Sequence, residues 1–340
     1  MSLVVLLQLT SCNDVLLNDF KNDDPISVFE SCWQFYDRQY PYFELKNIDW
    51  DQVYDSYRPR ISAETKNQQL AEILSEMLRE LKDYHVYLEG DENINFTSLS
   101  YTLVRQESYK LDQPFEAFNT FPEFREIDNI TAIYESSLNN IAYVELFGFD
   151  NTNQNFTQLL NAIQNRKGLI IDIRNNSGGS SSAMEEIAAN FTNDKIMYAQ
   201  ERYRINSNRN DFTKWYPLFI DGTSKRFFDK PVVLIISQAT GSAAERFASI
   251  MKEFPQVTLI GDTTFGGSGG ILEYALPNGW VCTSSFKQVL RENGQYIESF
   301  GITPDITNVF DKDNPDSFDG EDKAILKAVE LIETSNKNAL

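Results

Sequence analysis

Hydrophobic positions recur at helical spacing in the first part of this chain and in short continuous runs in the rest. Leu70, Ile73, Leu74, Met77, Leu78 and Leu81 fall at i, i+3, i+4, i+7, i+8 and i+11, which predicts an amphipathic helix ending near residue 81. Val28, Phe29, Cys32, Trp33, Phe35 and Tyr36 predict an earlier helix opened by Pro25. Between them an aromatic connection, Tyr40-Pro41-Tyr42-Phe43, leads to Asp49, a residue suited to cap a further helix. Together these stripes predict a helical domain over 25–85, preceded by a polar linker over 13–24. Residues 86–140 read as irregular strands and loops.

From Ile141 the pattern changes. A strand begins at Ile141–Leu146, and a helix follows around Phe156 to Ile163. Gly168–Arg174, Pro231–Ile236 and Val257–Ile260 are near-continuous apolar runs, the signature of parallel strands covered on both faces. The first ends in Asn175-Asn176-Ser177-Gly178-Gly179, the second in Ser237–Ser242, and the third in Gly261–Gly267. Strand, turn and helix in repetition predict right-handed crossovers whose turns gather at one sheet edge. The expectation is therefore an α/β core over 141–340 behind a helical N-terminal segment.

The chain has 340 residues, 41% of them hydrophobic, enough to bury a large core. Its formal charge of -20 argues against nucleic acid as a partner. The acidic cluster Asp311, Asp313, Asp316, Asp319, Glu321 and Asp322 lacks calcium-loop spacing and reads as a solvated loop. Residues 1–12 end a short apolar run in Leu9-Thr10-Ser11-Cys12, which resembles the lipobox of exported bacterial lipoproteins. That likeness implies a lipidated Cys12 and a membrane-anchored protein in the periplasm or at the outer membrane. Cys32 and Cys282 read as free buried thiols. A single histidine with no cysteine ligand near it cannot build a zinc site of the usual kind, and no cofactor is implied.

That histidine, His85, sits in "LKDYHVYL", where the helical pattern gives way to alternation. Ser242 stands far downstream on a strand-to-helix turn with small neighbours, Gly241, Ala243 and Ala244. Taken alone, Ser242 reads as a helix N-cap and Gly178-Gly179 as a tight turn. Together, a lone histidine and a serine so placed are the parts of an activated hydroxyl nucleophile. Asp172 and Arg174 read as an ion pair holding a sheet end, and Asp305 as a brace for its turn.

The motifs "GLIIDIRNNSGG", "GSAAERFAS", "VTLIGDTTFGGSGG" and "IESFGITPDI", in that order, closely resemble the tail-specific or C-terminal processing serine proteases. The likeness covers about Ile141 to the C-terminus. "LKDYHVYL" extends it upstream toward the tricorn-core-like branch of bacterial lipoproteins. The resemblance implies a crotonase-like α/β spiral core and peptide hydrolysis through an acyl-enzyme. It implies Ser242 as nucleophile, His85 as general base, and Glu298 as the carboxylate orienting His85. Ala243 with Gly178 or Gly179 would form the oxyanion hole. Asp83, two residues from His85, is a rival orienter on an extended segment.

Two departures from the family shape these expectations. Where the tail-specific branch has "TFGKG" with a lysine base, this chain has Gly267, so a Ser/Lys dyad there is excluded. Tyr84 precedes His85 where the family has a small residue, which implies a narrower cleft. Only about 50 residues separate Leu88 from Ile141, with no "GLGF"-like loop, so a complete PDZ domain is not expected. The competing expectation is a non-catalytic binding protein on the same fold, with Trp33, Tyr36, Tyr42 and Phe43 lining a ligand groove.

Overall fold

Asp24 opens the first described helix because its Oδ1 accepts the Ile26 and Ser27 amides and Pro25 needs no N–H partner there. In the computed structural model the described residues are 22–90, 95–97, 123–128, 131–135, 140–149, 154–205, 208–222, 228–307, 309 and 322–338. The lipobox at Cys12, the linker up to residue 21 and most of 86–140 lie outside them. The helices are α1 (Pro25–Gln39), α2 (Trp50–Tyr57), α3 (Asn67–Arg79), α4 (Gln154–Ala162), α5 (Ser181–Ala189), α6 (Ala243–Lys252) and α7 (Lys323–Asn338). The strands are β1 (Tyr87–Glu89), β2 (Asn95–Thr97), β3 (Glu123–Asp128), β4 (Thr131–Glu135), β5 (Ile141–Leu146), β6 (Gly168–Asp172) and β7 (Lys195–Tyr203). They continue with β8 (Tyr216–Asp221), β9 (Val232–Ile236), β10 (Val257–Gly261), β11 (Leu272–Ala275), β12 (Val281–Ser284) and β13 (Lys287–Arg291).

These elements form two units. The first comprises residues 1–99, 203–213 and 270–286, so its elements come from three separated stretches of chain. Helix α1 buries Val28, Phe29, Cys32, Phe35 and Tyr36, the stripe its spacing predicts, and α3 buries Leu70, Ile73, Leu74, Met77 and Leu78. Asp49 caps α2 by accepting the Gln52 amide. Trp33 and Trp50 stack with rings 6.4 Å apart and each donates its indole N–H to the other's carbonyl. Tyr36, Tyr42 and Phe43 are buried in the same core, so these rings act as packing and not as a groove lining. Strand β1 finds partners on both sides in the antiparallel order β11-β12-β1-β2, with Leu88 opposite Cys282. The hairpin β11–β12 lies within the stretch 141–340, yet it completes the sheet of the N-terminal helices. A three-residue strand has too few ladder bonds to stand alone. Cys32 and Cys282 are buried free thiols.

The second unit holds the sheet β10-β9-β6-β5-β4-β3. Its first four strands pair in parallel, and β4 and β3 extend it antiparallel. Strands β5, β6 and β9 are buried at every position, as continuous apolar runs require of a sheet covered on both faces. One core layer includes α4, α5 and α6, and the other is closed by α7 through Ala324, Ile325, Ala328 and Ile332. Asp322, expected in a solvated loop, caps α7 by accepting the Ala324 and Ile325 amides and pairs with Arg174 at 2.7 Å. The other members of that acidic cluster lie outside the described residues. Among the described residues no helix is long and apolar enough to cross a membrane.

Candidate active site

Ser242, the candidate nucleophile, belongs to the second unit and stands where β6, β9 and β10 end. Parallel strands deliver their following turns to one edge, where backbone groups are free of the ladder. Here the turns are laced together. Thr240 Oγ1 donates to Ile173 O and Ser237 Oγ to Arg174 O, so the turn after β9 is tied to the end of β6. Gly241 N–H donates to Asn176 O at 3.0 Å and Phe265 N–H to Thr240 O at 3.0 Å. Arg174 forms ion pairs with Asp172 and Asp322, which outweigh the cost of its burial and keep it charged. The Asp172–Arg174 pair therefore holds the sheet end, as its sequence position implied.

Ser242 is the last residue before α6. Its φ of 55° and ψ of −123° are unusual for any residue but glycine, a strain of roughly 1–3 kcal/mol. The turn is held by Ser242 N–H donating to Gly267 O at 3.0 Å and to Glu245 Oε2 at 3.2 Å. A strained serine on a sharp strand-to-helix turn is how a hydroxyl is presented beyond a sheet edge. Behind it packs Gly178, where an added Cβ would lie 2.7 Å from Ser242 Cβ and 2.9 Å from Ala243 N. Gly178 N–H donates to Asn176 Oδ1 at 2.8 Å and is thereby engaged. Gly179 is exposed, with φ of 126°. Among the described residues neither the Gly179 nor the Ala243 amide meets a hydrogen-bond acceptor. Ala243 is the first residue of α6, where the helix dipole adds to the attraction for negative charge.

Two carboxylates brace this side. Glu298 is fully buried, and its Oε2 accepts the Ser268 amide at 3.0 Å. Glu245, which the sequence reading passed over, is also fully buried, and burial pushes its pKa up to about 7 against hydrogen bonds that pull it down. The Ser-x-x-Glu spacing of Ser242 and Glu245 is the signal that could have marked it. Asp305 braces its turn as expected, accepting the Leu259 amide and pairing with Lys252 at 2.8 Å.

His85, the candidate base, belongs to the first unit. His85 stands in a turn between α3 and β1 and is buried. The extended segment expected at Asp83–His85 is instead a turn, with Val86 N–H donating to Asp83 O. Asp83 consequently holds His85 through the backbone: its Oδ1 accepts the His85 amide at 2.8 Å and the Ser285 hydroxyl at 3.0 Å. Its Oδ2 accepts from Lys46 Nζ at 3.3 Å. Burial opposes ionisation of Asp83, but Lys46 and then His85 outweigh it and hold the carboxyl below its usual range. The carbonyl of His85 accepts the Thr283 hydroxyl at 2.6 Å. The Tyr84 ring meets the His85 ring edge-on, with centroids 5.3 Å apart. Lys46, Thr283 and Ser285 carry no local sequence signal, since chain folding alone brings them to His85.

Residues 140–308 match peptidase family S41, and residues 23–79 match the tricorn protease C1 domain. The carboxy-terminal processing protease CtpB of Bacillus subtilis (strain 168) is 30% identical over 172 residues, 49% of this chain and 34% of that protein. The chain spans about a third of the length of curated relatives such as CtpB and CtpA, at 34% and 36%. A candidate peptidase from Parabacteroides merdae, known by crystal structure, is 30% identical with a TM-score of 0.80, covering 92% of this chain and 97% of that one. The crystal structure of mature CPAF shares the fold at a TM-score of 0.70 and 12% identity, over 93% of this chain and 98% of that one. By sequence and by fold, the chain belongs to peptidase family S41.

Proposed function

We propose that this protein is a serine peptidase that hydrolyses peptides or loose polypeptide ends through an acyl-enzyme. The observation that carries the reading is Ser242, strained at positive φ on the turn between β9 and α6, beside two unengaged amides. Ser242 Oγ attacks the scissile carbonyl, and His85 takes its proton as general base. The tetrahedral oxyanion is bound by the Ala243 and Gly179 amides, because the Gly178 N–H already serves Asn176. His85 then returns the proton to the leaving amine, and water repeats the sequence to release the acyl group. Glu298 stabilises the imidazolium, while Asp83 fixes the His85 backbone from beneath. The absence of a lysine at Gly267 favours this Ser-His-Glu scheme over Ser-Lys. The Leu9–Cys12 run supports export and lipid anchoring at Cys12 as part of the same reading. The burial of Tyr36, Tyr42 and Phe43, with Trp33 half-buried and stacked on Trp50, weighs against a ligand-binding groove.

A fluorophosphonate probe, read by peptide mapping, tests the scheme on wild type, Ser242→Ala and His85→Ala. Wild type is expected to be labelled at Ser242, with the label absent in Ser242→Ala and at least about a thousandfold slower in His85→Ala. A folded wild type that stays unlabelled between about pH 6 and about pH 9 would overturn the proposal.

A further inference from the structure

Glu245 has no part in the reaction scheme, yet it is the acceptor on which the nucleophile turn converges. Its Oε1 accepts the Thr264 hydroxyl at 2.6 Å and the Gly266 amide at 2.6 Å. Its Oε2 accepts the Gly267 amide at 2.7 Å and the Ser242 amide at 3.2 Å. The four donors come from the Ser242 turn and the turn after β10. The latter turn also reaches the segment that bears Glu298. Ser268 N–H donates to Glu298 Oε2, Ser299 N–H to Gly266 O at 2.8 Å, and Ile302 N–H to Thr264 Oγ1 at 2.7 Å.

A fully buried carboxylate without a cation among its hydrogen-bond partners is costly, and four donors are what make it tolerable. No neutral side chain of the same shape can accept all four: a glutamine would turn two donors of its own toward N–H groups. Gly267, standing where the related branch carries a lysine, gives its N–H to Glu245 and its C=O to Ser242 N–H.

Resting on the peptidase reading, we infer that Glu245 is a positioning residue that clamps the strained Ser242 turn to Thr264–Ser268 and so sets the nucleophile and Glu298 in one frame. It touches no reacting atom. Its effect is on where Ser242 Oγ stands, so it acts on the chemical step and not on probe binding.

The test uses the full chain and the fluorophosphonate probe, with the maximal labelling rate (kinact) and the half-saturating probe concentration (KI) measured separately. Backbone hydrogen exchange over 240–246 and 264–268 is followed in parallel. Glu245→Gln is expected to lower kinact about a hundredfold, leave KI within about twofold, and speed exchange in both segments about tenfold. Should Glu245→Gln not fold, Thr264→Val removes one donor to Glu245 and the acceptor of the Ile302 amide at constant shape, and is expected to lower kinact about tenfold, with Thr264→Ser restoring it. Unchanged exchange, or a change in KI alone, overturns the inference. An unlabelled wild type would overturn the peptidase reading, and the exchange comparison would then decide by itself whether Glu245 holds the Ser242 turn.

Discussion

Glu145 shows how far burial and a neighbouring charge can move a single side chain. It lies on β5 directly opposite Asp172 of β6, and burial together with that neighbouring carboxylate raises its pKa to about 9. The folded protein therefore keeps a proton that the unfolded chain, with an ordinary value of 4.5, gives up. Protons are bound more tightly by the native state, so this contribution to stability is complete below about pH 4.5 and is lost as pH rises toward about 9. Glu145→Gln stays neutral throughout. Its unfolding midpoint in urea is expected to fall less than that of wild type between about pH 6 and about pH 9, and parallel curves would exclude the assignment. At this scale the sequence disclosed residues with a local context: Ser242 on its turn, the Gly178-Gly179 pair, His85 as the lone imidazole. Glu245 was readable too, from its spacing to Ser242. Lys46, Thr283 and Ser285 were not, because hydrogen bonds across 37, 198 and 202 residues leave no local trace.

Elements with a strong period were the most legible. Helices α1 and α3 bury the stripes their spacing marks, and the continuous runs at β6, β9 and β10 form the parallel sheet. What the pattern could not supply was partnership. Strand β1 has three residues, and its place beside β12 is decided by a hairpin far along the chain. The turns between elements are equally cooperative, and Gly178 is the sharpest instance. At φ of 111° and with Ser242 and Ala243 against it, the position has room for neither a Cβ nor the strain it brings. Gly178→Ala is expected to cost about 3 kcal/mol in chemical denaturation, from the disfavoured backbone and the overlap combined. Because the displaced atoms are those of the Ser242 turn, Ser242 labelling should slow about a hundredfold under conditions where the variant is fully folded. A variant that loses stability while labelling at the wild-type rate would show that the Gly178 turn and the Ser242 turn move independently.

At the scale of the whole molecule, the parallel α/β core was legible because strand, turn and helix repeat, while the composition of the first unit was not. That unit takes residues 203–213 and 270–286 in addition to the N-terminal stretch. A polypeptide ending at residue 99 keeps α1, α2 and α3 but leaves β1 without β12 and the His85 carbonyl without Thr283. Such a fragment is expected to show helical far-ultraviolet dichroism without the fixed near-ultraviolet signal of its many aromatic residues. A native-like near-ultraviolet spectrum from the fragment would contradict this account. The same thread through the fold sets an order on biosynthesis. A chain leaving the ribosome exposes His85 early, but the hairpin that seats it emerges only after nearly 200 more residues, Ser242 and its turn among them. The seat of His85 is thus completed only after Ser242 and its turn have emerged, and a chain stalled before residue 281 has neither Thr283 for the His85 carbonyl nor Ser285 for Asp83.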